Sequence, residues 1–473
     1  MTETDFDSRA ALPPCPGSDR PRQRLLYDLS FTCASGKTSG IERVVRSWLR
    51  VGADMCPASG DSWAWEFVPV FCWQGRFYRW NLQARQVFQP VADMERDCVA
   101  QLPAAYRQFA TRLCQLWSAP QLRRGLLPPS GHLGVFKSWH RRRKRSAGGL
   151  AIRGQQPIDL TADDILWLPD AYWARPEVWT AASSARQQGA LVAALVYDLI
   201  PLRNGNQHPA FAHYLEQLLS ICQVVQCISD CERQRLIEFR NRHPQRGSMC
   251  GSFSTVTLGC EWQPGRGEVR GELKAMFSGH DTQPVFLCVN TFDPRKNHRY
   301  LLDAFDQLWQ RGSQVRLCLV GRVGWQCGDI VQRIAAHPQL GHRLFVFHDA
   351  SDVEVDYCYQ QARAVITASL DEGFGLPIVE SLARGKTTLA SDIASHREVG
   401  GNACWYFDPH RVEQLQALVG GLATDGGPTA LPRKPRLQHP PKLKTWAESF
   451  QECWQQLRDA HRRQAHSSAR QAA

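Results

Sequence analysis

Short apolar runs alternate along the chain with longer segments whose apolar positions recur at helical spacing. In the first half the runs are RLLYDLS (24–30), DDILWLPD (163–170), ALVAALVYDLIPL (190–202) and VVQCIS (224–229). After the first run, Ile41, Val44, Val45 and Trp48 recur at the spacing of one helix face. Strands that alternate with helices are typical of parallel sheets, so this half is predicted to be a doubly wound α/β domain.

A second series of the same kind begins near residue 284. Its predicted strands are PVFLCVN (284–290), VRLCLVG (315–321), HRLFVFHDA (342–350) and RAVITAS (363–369). The segment HRYLLDAFDQLWQ places Leu301, Ala304, Phe305 and Leu308 on one helix face, and Asn297 precedes it as the expected N-cap. Two doubly wound domains facing a cleft are therefore expected.

These patterns also set the expected domain bounds. Residues 22–235 would form the N-terminal domain, 236–283 a linker with few periodic features, and 284–425 the C-terminal domain. Residues 426–473 would hold a proline-rich linker and a closing helix with one apolar stripe, formed by Trp446, Phe450, Cys453, Trp454 and Leu457. The basic tail after Arg462 is expected to be disordered.

Length and composition fit this picture. The chain has 473 residues, which suits two domains of roughly 200 residues each. Its polar start, MTETDFDSRAALPPCPGSDR, lacks the apolar core of a signal peptide, and its longest apolar run is far too short to span a bilayer. We therefore expect a cytoplasmic protein. The 17 cysteines fall within apolar strand-like runs, which favours buried reduced thiols over metal or redox use.

The net charge of +11 at pH 7 is concentrated in one segment. From Cys98 to Ile158 there is no Asp or Glu, but there are eleven Lys and Arg, so the rest of the chain is neutral overall. The densest part is FKSWHRRRKR, Phe136–Arg145. A solvated insertion, attraction to an anionic membrane surface and nucleic-acid binding are the alternatives. We expect no nucleic acid, because aromatic residues are few and no recognised nucleic-acid module surrounds the cluster.

The stretch TASLDEGFGLPIVESLARGK (367–386) places two glutamates eight residues apart around a glycine-rich bend. It follows the last predicted strand, and ligands of parallel sheets bind beyond the carboxyl ends of the strands. Gly373 and Gly375 let the backbone approach a ligand closely, and the exposed N–H groups of the helix start favour a phosphate or a hydroxyl-rich ligand. Glu372 and Glu380 can accept hydrogen bonds from sugar hydroxyls on two sides of one ligand.

A second loop of the same domain, DPRKN, also follows a strand and precedes a helix. Arg295 and Lys296 place two cations beside the same region of the sheet, where Arg can grip a phosphate bidentately and Lys acts as a point charge. Either loop alone is more often a solvated surface loop. Together, in units of one sheet, they indicate a nucleotide-diphosphate ligand.

These motifs resemble, in order, the retaining glycosyltransferases of family 4, which have the GT-B fold. The matching stretches are NTFDPRKNHRYLLDAF, VGRVGW, ITASLDEGFGLPIVESLARGKTTLASDIASHREVGG and WYFDP. In the N-terminal half, YDLSFTCASGKTSGIERVVR and VYDLIPL resemble a bacterial subgroup that builds surface polysaccharides. The resemblance covers about 24–50, 163–235 and 284–408. It implies an α/β GT-B protein with two Rossmann-like, doubly wound parallel-sheet domains, an N-terminal acceptor domain and a C-terminal donor domain.

The resemblance also implies roles for the matching residues of the donor domain. Arg295 and Lys296 would bind the diphosphate and stabilise it as it leaves. Glu372 would contact the donor sugar, and Glu380 would hold the ribose hydroxyls. The sugar pocket would be lined by the loop residues Gly373, Phe374, Gly375 and Leu376.

On the N-terminal side the resemblance implies that Gly40 lets the backbone reach the phosphates. Many relatives have His-Asp where this chain has Tyr197-Asp198. Asp198 is expected to orient the acceptor hydroxyl or the donor sugar, and bracing of its own loop is the alternative. In that family retention is explained by front-side attack, in which the departing phosphate takes the acceptor's proton. No metal and no cofactor beyond the nucleotide sugar is expected.

The resulting hypothesis is a glycosyltransferase that moves a sugar with retention from a nucleotide-diphosphate sugar to a growing, lipid-linked glycan in bacterial polysaccharide or lipopolysaccharide biosynthesis. A GDP-mannose-like donor is preferred. A non-catalytic GT-B scaffold or partner protein is the alternative. The protein would be cytoplasmic and peripheral at the inner face of the cytoplasmic membrane, with Phe136–Arg145 as the contact. The donor base and sugar, the acceptor and the oligomeric state cannot be deduced from the sequence.

Overall fold

The computed structural model describes residues 23–35, 40–55, 65–81, 151–173, 175–203, 208–243, 250–261, 267–278, 283–423 and 441–472. It divides into two compact units. The first unit runs to Gly259 and also includes Trp446–Ala473, and the second contains Cys260–Thr445. In the described part of the chain, no helix combines the length and the apolar character needed to cross a bilayer.

The first unit is built on a seven-stranded sheet with the order β3-β2-β1-β4-β5-β6-β7. The strands are β1 (Gln23–Asp28), β2 (Trp65–Trp73), β3 (Arg76–Arg79), β4 (Asp164–Leu168), β5 (Leu191–Val196), β6 (Val224–Cys227) and β7 (Ser252–Thr255). All neighbours pair in parallel except β2 and β3, which form an antiparallel hairpin at one edge. β4 and β5 are buried along their whole length, which explains why both read as continuous apolar runs.

Among the described residues, this unit has six helices: α1 (Ser30–Ser35), α2 (Gly40–Met55), α3 (Pro176–Gln187), α4 (Pro209–Ile221), α5 (Asp230–Arg242) and α13 (Trp446–Ala472). The apolar stripe of α13 is buried, as predicted. Phe450 packs edge-on against Phe67 at 6.0 Å between ring centroids, and Trp454 packs against Trp65 at 5.1 Å. The Trp48 indole N–H donates to Ser449 Oγ at 3.1 Å. The last helix therefore completes the core of the first unit.

The second unit has a six-stranded, fully parallel sheet with the order β10-β9-β8-β11-β12-β13. Its strands are β8 (Val285–Val289), β9 (Arg316–Val320), β10 (Leu344–Phe347), β11 (Ala364–Thr367), β12 (Thr388–Ser391) and β13 (Trp405–Phe407). Its helices are α6 (Gly271–Phe277), α7 (His298–Gln310), α8 (Gly328–Ala335), α9 (Asp352–Gln361), α10 (Leu376–Ala383), α11 (Ala394–Gly400) and α12 (Val412–Ala423). Both units thus have the predicted doubly wound, Rossmann-like α/β architecture.

Three local expectations differ from the structure. The expected linker 236–283 contains the second half of α5, strand β7 and helix α6, because β7 joins the first sheet beside β6 and α6 packs in the second unit. The chain after Arg462, expected to be disordered, continues as helix α13. Asn297 does occupy the N-cap position of α7, but in the left-handed conformation and without a capping bond; its side-chain amide donates to the Pro409 carbonyl at 3.1 Å instead.

Candidate functional site

The strand order of the second sheet reverses between β8 and β11. β9 and β10 lie on one side of β8, and β11, β12 and β13 lie on the other side. Ligands of doubly wound sheets bind at such a switch point, beyond the carboxyl ends of the strands. The loops that follow β8 and β11 carry the predicted donor residues, and the Leu370 N–H donates to the Arg295 carbonyl at 2.7 Å, which joins the two loops.

An ion pair between Lys296 and Glu372 lies at this switch point. The Lys296 ammonium group donates directly to Glu372 Oε1, and the Ser369 hydroxyl donates to the same oxygen at 2.8 Å. Both charged side chains are almost fully buried. Both residues were predicted to bind the same ligand, and in the structure they are in direct contact.

The carboxyl of Glu372 is held in its ionised form. Burial opposes ionisation, but the charge and the hydrogen bond of Lys296, together with the charge of Arg295, outweigh burial and keep the pKa of Glu372 below its ordinary value. The site therefore holds a fixed negative charge next to two cationic side chains at neutral pH.

Arg295 is positioned by Asp293 in the short 3₁₀ turn Pro294–Lys296. Asp293 Oδ1 accepts the Arg295 backbone N–H at 2.9 Å, and Asp293 Oδ2 accepts the guanidinium at 3.1 Å. Asp293 thereby caps the turn and holds the arginine side chain, of which about a quarter is exposed. Asp293 thus holds at the edge of the site a guanidinium, the type of group that can bind a phosphate bidentately.

The start of α10 forms the other wall. Gly375 is its N-cap and has φ = +108°, a conformation that favours glycine. It is preceded by Gly373 and the buried Phe374, and Leu376 is the first helical residue. A Cβ atom on Gly375 would lie 3.2 Å from His396 Cδ2, so the missing side chain makes room for the imidazole.

Glu380 lies one turn into α10, as predicted, and is buried. Its Oε2 accepts a hydrogen bond from the Tyr359 hydroxyl at 2.9 Å, while its backbone carbonyl accepts from the Arg384 guanidinium at 2.7 Å. Glu372 and Glu380 are thus fixed by different partners on the two sides of the α10 N-terminus.

His396 is a component of the site to which the sequence analysis gave no role. The Ser391 hydroxyl donates to the Ser369 carbonyl at 2.5 Å, so it accepts from His396 Nδ1, which lies 3.0 Å away. His396 Nδ1 must carry the hydrogen, because the Ser391 carbonyl oxygen, 3.1 Å away, can also only accept. Burial lowers the pKa of His396 to about 4, so the ring is neutral and its buried Nε2 presents a lone pair that has no hydrogen-bond partner among the described residues.

The predicted residues of the N-terminal side lie in the first unit. Gly40 is exposed at the start of α2. Asp198, just beyond β5, accepts the Ile200 backbone N–H at 3.1 Å with its Oδ1, which is the loop-bracing contact weighed as the alternative. The adjacent Tyr197 is buried and donates its hydroxyl to the Pro169 carbonyl at 2.8 Å.

Two buried carboxylates at the carboxyl edge of the first sheet were not predicted. Asp28 ends β1 and accepts the Ser30 hydroxyl at 2.6 Å. Asp170 follows β4 and accepts the backbone N–H groups of Phe31 at 3.0 Å and Thr32 at 2.6 Å. Burial, as the main cause, raises the pKa of Asp28 to about 7 and that of Asp170 to about 6. An acidic residue directly after an apolar strand was the sequence signal for both.

Two further sequence-based expectations concern metal and membrane. In the part of the chain that the structure describes, no group of three His, Cys, Asp or Glu side chains could hold a metal ion. The basic cluster Phe136–Arg145 lies outside the described residues.

The chain is similar in sequence to known proteins. Residues 272–433 match the family described as glycosyl transferases group 1. A serotype-specific mannosyltransferase, WbdA, from Escherichia coli is 30% identical over 276 residues, which are 56% of this chain and 34% of that protein. The O-antigen chain mannosyltransferase B of Escherichia coli is 34% identical over 139 residues, which are 29% of this chain and 36% of that protein. The chain thus spans about a third of the length of the curated relatives it matches.

The chain is also similar in fold to a solved structure. Sucrose-phosphate synthase from Thermosynechococcus elongatus superposes with a TM-score of 0.50 at 16% sequence identity, and the match covers 95% of this chain and 99% of that one. The finer assignment to family 4 stays a prediction. Residues 272–433, which lie mostly in the second unit, thus match the glycosyl transferases group 1 family, and the chain shares its α/β fold with sucrose-phosphate synthase.

Proposed function

We propose that this protein is a glycosyltransferase that transfers a sugar from a nucleotide-diphosphate sugar to a glycan. One observation carries the proposal: the buried Lys296–Glu372 ion pair lies beside Arg295 at the switch point of the sheet in the family-matched domain. Cations suited to a diphosphate and a carboxylate suited to sugar hydroxyls meet there at one ligand-binding edge.

The donor would be held mainly by the second unit. Arg295 and Lys296 would bind the diphosphate, Glu372 the sugar and Glu380 the ribose hydroxyls. The backbone of the loop before α10 would line the sugar pocket through Gly373, Phe374, Gly375 and Leu376. Lys296 is paired with Glu372 in the structure, so a bound diphosphate would have to share or replace that partner.

In the reaction we propose, the bond between the anomeric carbon and the leaving phosphate oxygen breaks. The acceptor hydroxyl oxygen forms the new bond to the same face of that carbon, which retains its configuration. The acceptor's proton passes to the departing phosphate oxygen, and a nucleoside diphosphate is released. Arg295 and Lys296 would stabilise the charge that develops on this leaving group, so no metal is required in the scheme.

The first unit would contribute to the acceptor side. Gly40, at the start of α2, would let the backbone approach the donor phosphates. Asp198 would accept a hydrogen bond from the acceptor hydroxyl in addition to the one it accepts from the Ile200 N–H. The negative charge of Asp198 would repel the diphosphate, so the Asp198 carboxylate is expected to lie nearer to the acceptor than to the phosphates.

The substrates are proposed from the relatives. Because the two relatives described above are named as mannosyltransferases, we propose a mannosyl donor of the GDP-mannose type and an acceptor that is a growing O-antigen or related lipid-linked glycan. A cytoplasmic location, peripheral to the inner face of the cytoplasmic membrane, is part of the same proposal. A non-catalytic scaffold is the competing function. One observation favours it: Tyr197 stands where many relatives have a histidine, and its hydroxyl donates to the Pro169 backbone carbonyl.

A donor screen tests the proposal. The protein would be incubated with GDP-mannose, UDP-glucose and dTDP-rhamnose in the presence of mannose oligosaccharides, and nucleoside-diphosphate release and product mass would be measured. We expect GDP release and a mannosylated product, both reduced in Arg295→Ala. Binding of nucleoside diphosphates without turnover of any donor would instead support the scaffold.

A further inference from the structure

The first sheet has its own switch point, between β1 and β4. From β1 the chain adds β2 and β3 on one side, and it then adds β4 to β7 on the other. The segments that leave these two strands at the carboxyl edge are α1 and residues 169–173. A crevice at this position is where an open α/β sheet takes a ligand.

An exposed tryptophan lies at this edge. Trp173 is 42% exposed, although large apolar side chains of this unit are otherwise mostly buried among the described residues. Its indole packs against Phe31 of α1, with 6.5 Å between ring centroids, and against Phe211 of α4, with 6.1 Å. Contacts with two rings fix the position of the indole while much of its surface faces solvent.

The surrounding loops are held together by polar contacts. Asp170 accepts backbone N–H groups of α1 and so ties the segment after β4 to the segment after β1. The Arg175 guanidinium donates to the Ser30 carbonyl at 3.3 Å and pairs with Glu177 at 3.2 Å. A rigid aromatic surface with polar groups around it fits a ligand that is apolar on one face and polar at its rim.

The charges at the crevice select among such ligands. The buried carboxyl groups of Asp28 and Asp170 and the guanidinium of Arg175 lie at the same edge, so the edge does not favour an ion of one sign. A pyranose ring is neutral, has a face of C–H groups that stacks on an aromatic ring, and carries hydroxyls at its rim. We propose that Trp173 is the platform on which one sugar ring of the glycan acceptor stacks.

This inference rests on the proposed function, because it takes the acceptor to be a glycan, and it adds the residue that binds one of its rings. It is tested first by binding, which needs no turnover. Mannotetraose would be titrated against the full chain and followed by saturation-transfer NMR and tryptophan fluorescence. We expect Trp173→Ala to weaken the affinity about tenfold, which corresponds to about 1.4 kcal/mol, and Trp173→Phe to restore most of it.

Trp325 supplies the matched control, because it is a comparably exposed tryptophan in the second unit, at 46% exposure. Trp325→Ala should leave mannotetraose affinity unchanged. In turnover, Trp173→Ala should raise the acceptor KM about tenfold and leave donor hydrolysis without acceptor unchanged. Equal mannotetraose binding by Trp173→Ala and the wild type, or no binding by the wild type, would overturn the platform. If no donor is turned over but Trp173-dependent sugar binding persists, the proposed function fails and the platform stands.

Discussion

Lys296 and Glu372 neutralise each other in the ligand-free site. A buried charge that loses its partner is costly, so each residue constrains the other until a ligand supplies a replacement. A diphosphate could take over Lys296, and sugar hydroxyls could then donate to Glu372. In the proposed function, the pair would couple donor binding to the release of the carboxylate that binds the sugar.

This coupling gives a prediction for Glu372→Gln. The amide keeps the size of the side chain but removes the charge, so kcat should fall on the order of 10²-fold. Affinity for the free nucleoside diphosphate should be equal or higher, because Lys296 no longer has an anionic partner. Steady-state kinetics and calorimetric titration of GDP measure the two effects. Glu413→Gln, an exposed carboxylate in the same unit, is the control, and near-normal turnover by Glu372→Gln would refute the assigned role.

Asp198 can be tested by the same kind of exchange. In Asp198→Asn the side-chain carbonyl can still accept the Ile200 N–H, so thermal stability should not change. We expect a large fall in kcat with donor-nucleotide affinity preserved, because the acceptor loses its charged partner. Normal turnover, or a loss of stability that parallels the loss of activity, would make Asp198 a structural residue.

The sequence pattern drew attention to Arg295, Lys296 and Glu372 but not to His396. The three charged residues lie in loops that follow apolar strands, and their assignment to a donor site stays a prediction. His396 lies at the start of a short helix, and only the fold shows that it fills the space left by Gly375. Its tautomer follows from the hydrogen bonds of Ser391, which no sequence pattern reveals.

At the scale of elements, the backbone conformation at the N-terminus of α10 depends on one glycine, Gly375. Gly375→Ala would place a side chain at φ = +108° and 3.2 Å from His396 Cδ2. The backbone conformation alone costs about 1–2 kcal/mol, and displacement of the imidazole adds to this cost. We expect a lower free energy of unfolding, measured in denaturant, together with weaker donor binding.

A substitution of Gly385 separates the cost of the backbone conformation from the cost of the contact with His396. It also has a positive φ, +66°, but a Cβ there meets nothing within 4 Å. Gly385→Ala should therefore cost only the backbone term and leave donor KM unchanged. If the two variants lose equal stability and the same donor affinity, the contact with His396 has no role in the site.

The predicted strands are rich in apolar residues. The structure confirms β1, β4, β5, β6, β8, β9, β10 and β11, and most of their residues are buried. β7 (SFST) and β12 (TLAS) were missed because their sequences are short and partly polar. These strands form because a neighbouring strand supplies hydrogen bonds and packing, which is tertiary context and not local preference.

For the whole molecule, the buried carboxylates of the first unit predict how stability depends on pH. The pKa values of Asp28, about 7, and Asp170, about 6, lie above the value near 3.9 of an unfolded chain. Between about pH 4 and 7 the folded state therefore binds more protons than the unfolded state, so their contribution to the free energy of unfolding falls as the pH rises.

Asp28→Asn should remove part of this dependence. Its free energy of unfolding should decline less than that of the wild type between pH 5 and 8, because the amide does not ionise. Urea titrations at each pH measure the difference. Parallel pH profiles for the two proteins would show that Asp28 is ionised without cost in the folded state.

Metal dependence is a second property of the whole molecule. Because Arg295 and Lys296 supply the positive charge in the proposed reaction, activity should persist in excess EDTA. The measurement is nucleoside-diphosphate release with and without the chelator, and a metal-dependent glycosyltransferase serves as the positive control. Loss of activity that Mn²⁺ or Mg²⁺ restores would contradict the proposed leaving-group stabilisation.

The domain order was predictable, but the boundary was not. Both doubly wound sheets follow from alternating apolar runs and helical segments. The bound expected at residue 235 lies before β7 and the second half of α5 because weak periodicity was interpreted as a linker. A short edge strand gives little periodicity even when it belongs to a domain.

The return of α13 to the first unit has a consequence for synthesis. Ribosomes produce residues 23–259 first. The side chains of Trp48, Trp65 and Phe67 then lack their contacts with α13, which includes Phe450 and Trp454, until that helix has been synthesised. At 5–20 residues per second, translation of Cys260–Thr445 delays that helix by roughly 10–40 seconds. During this interval the core of the nascent first unit is incomplete and its apolar surface is exposed. We therefore expect chaperones to bind it.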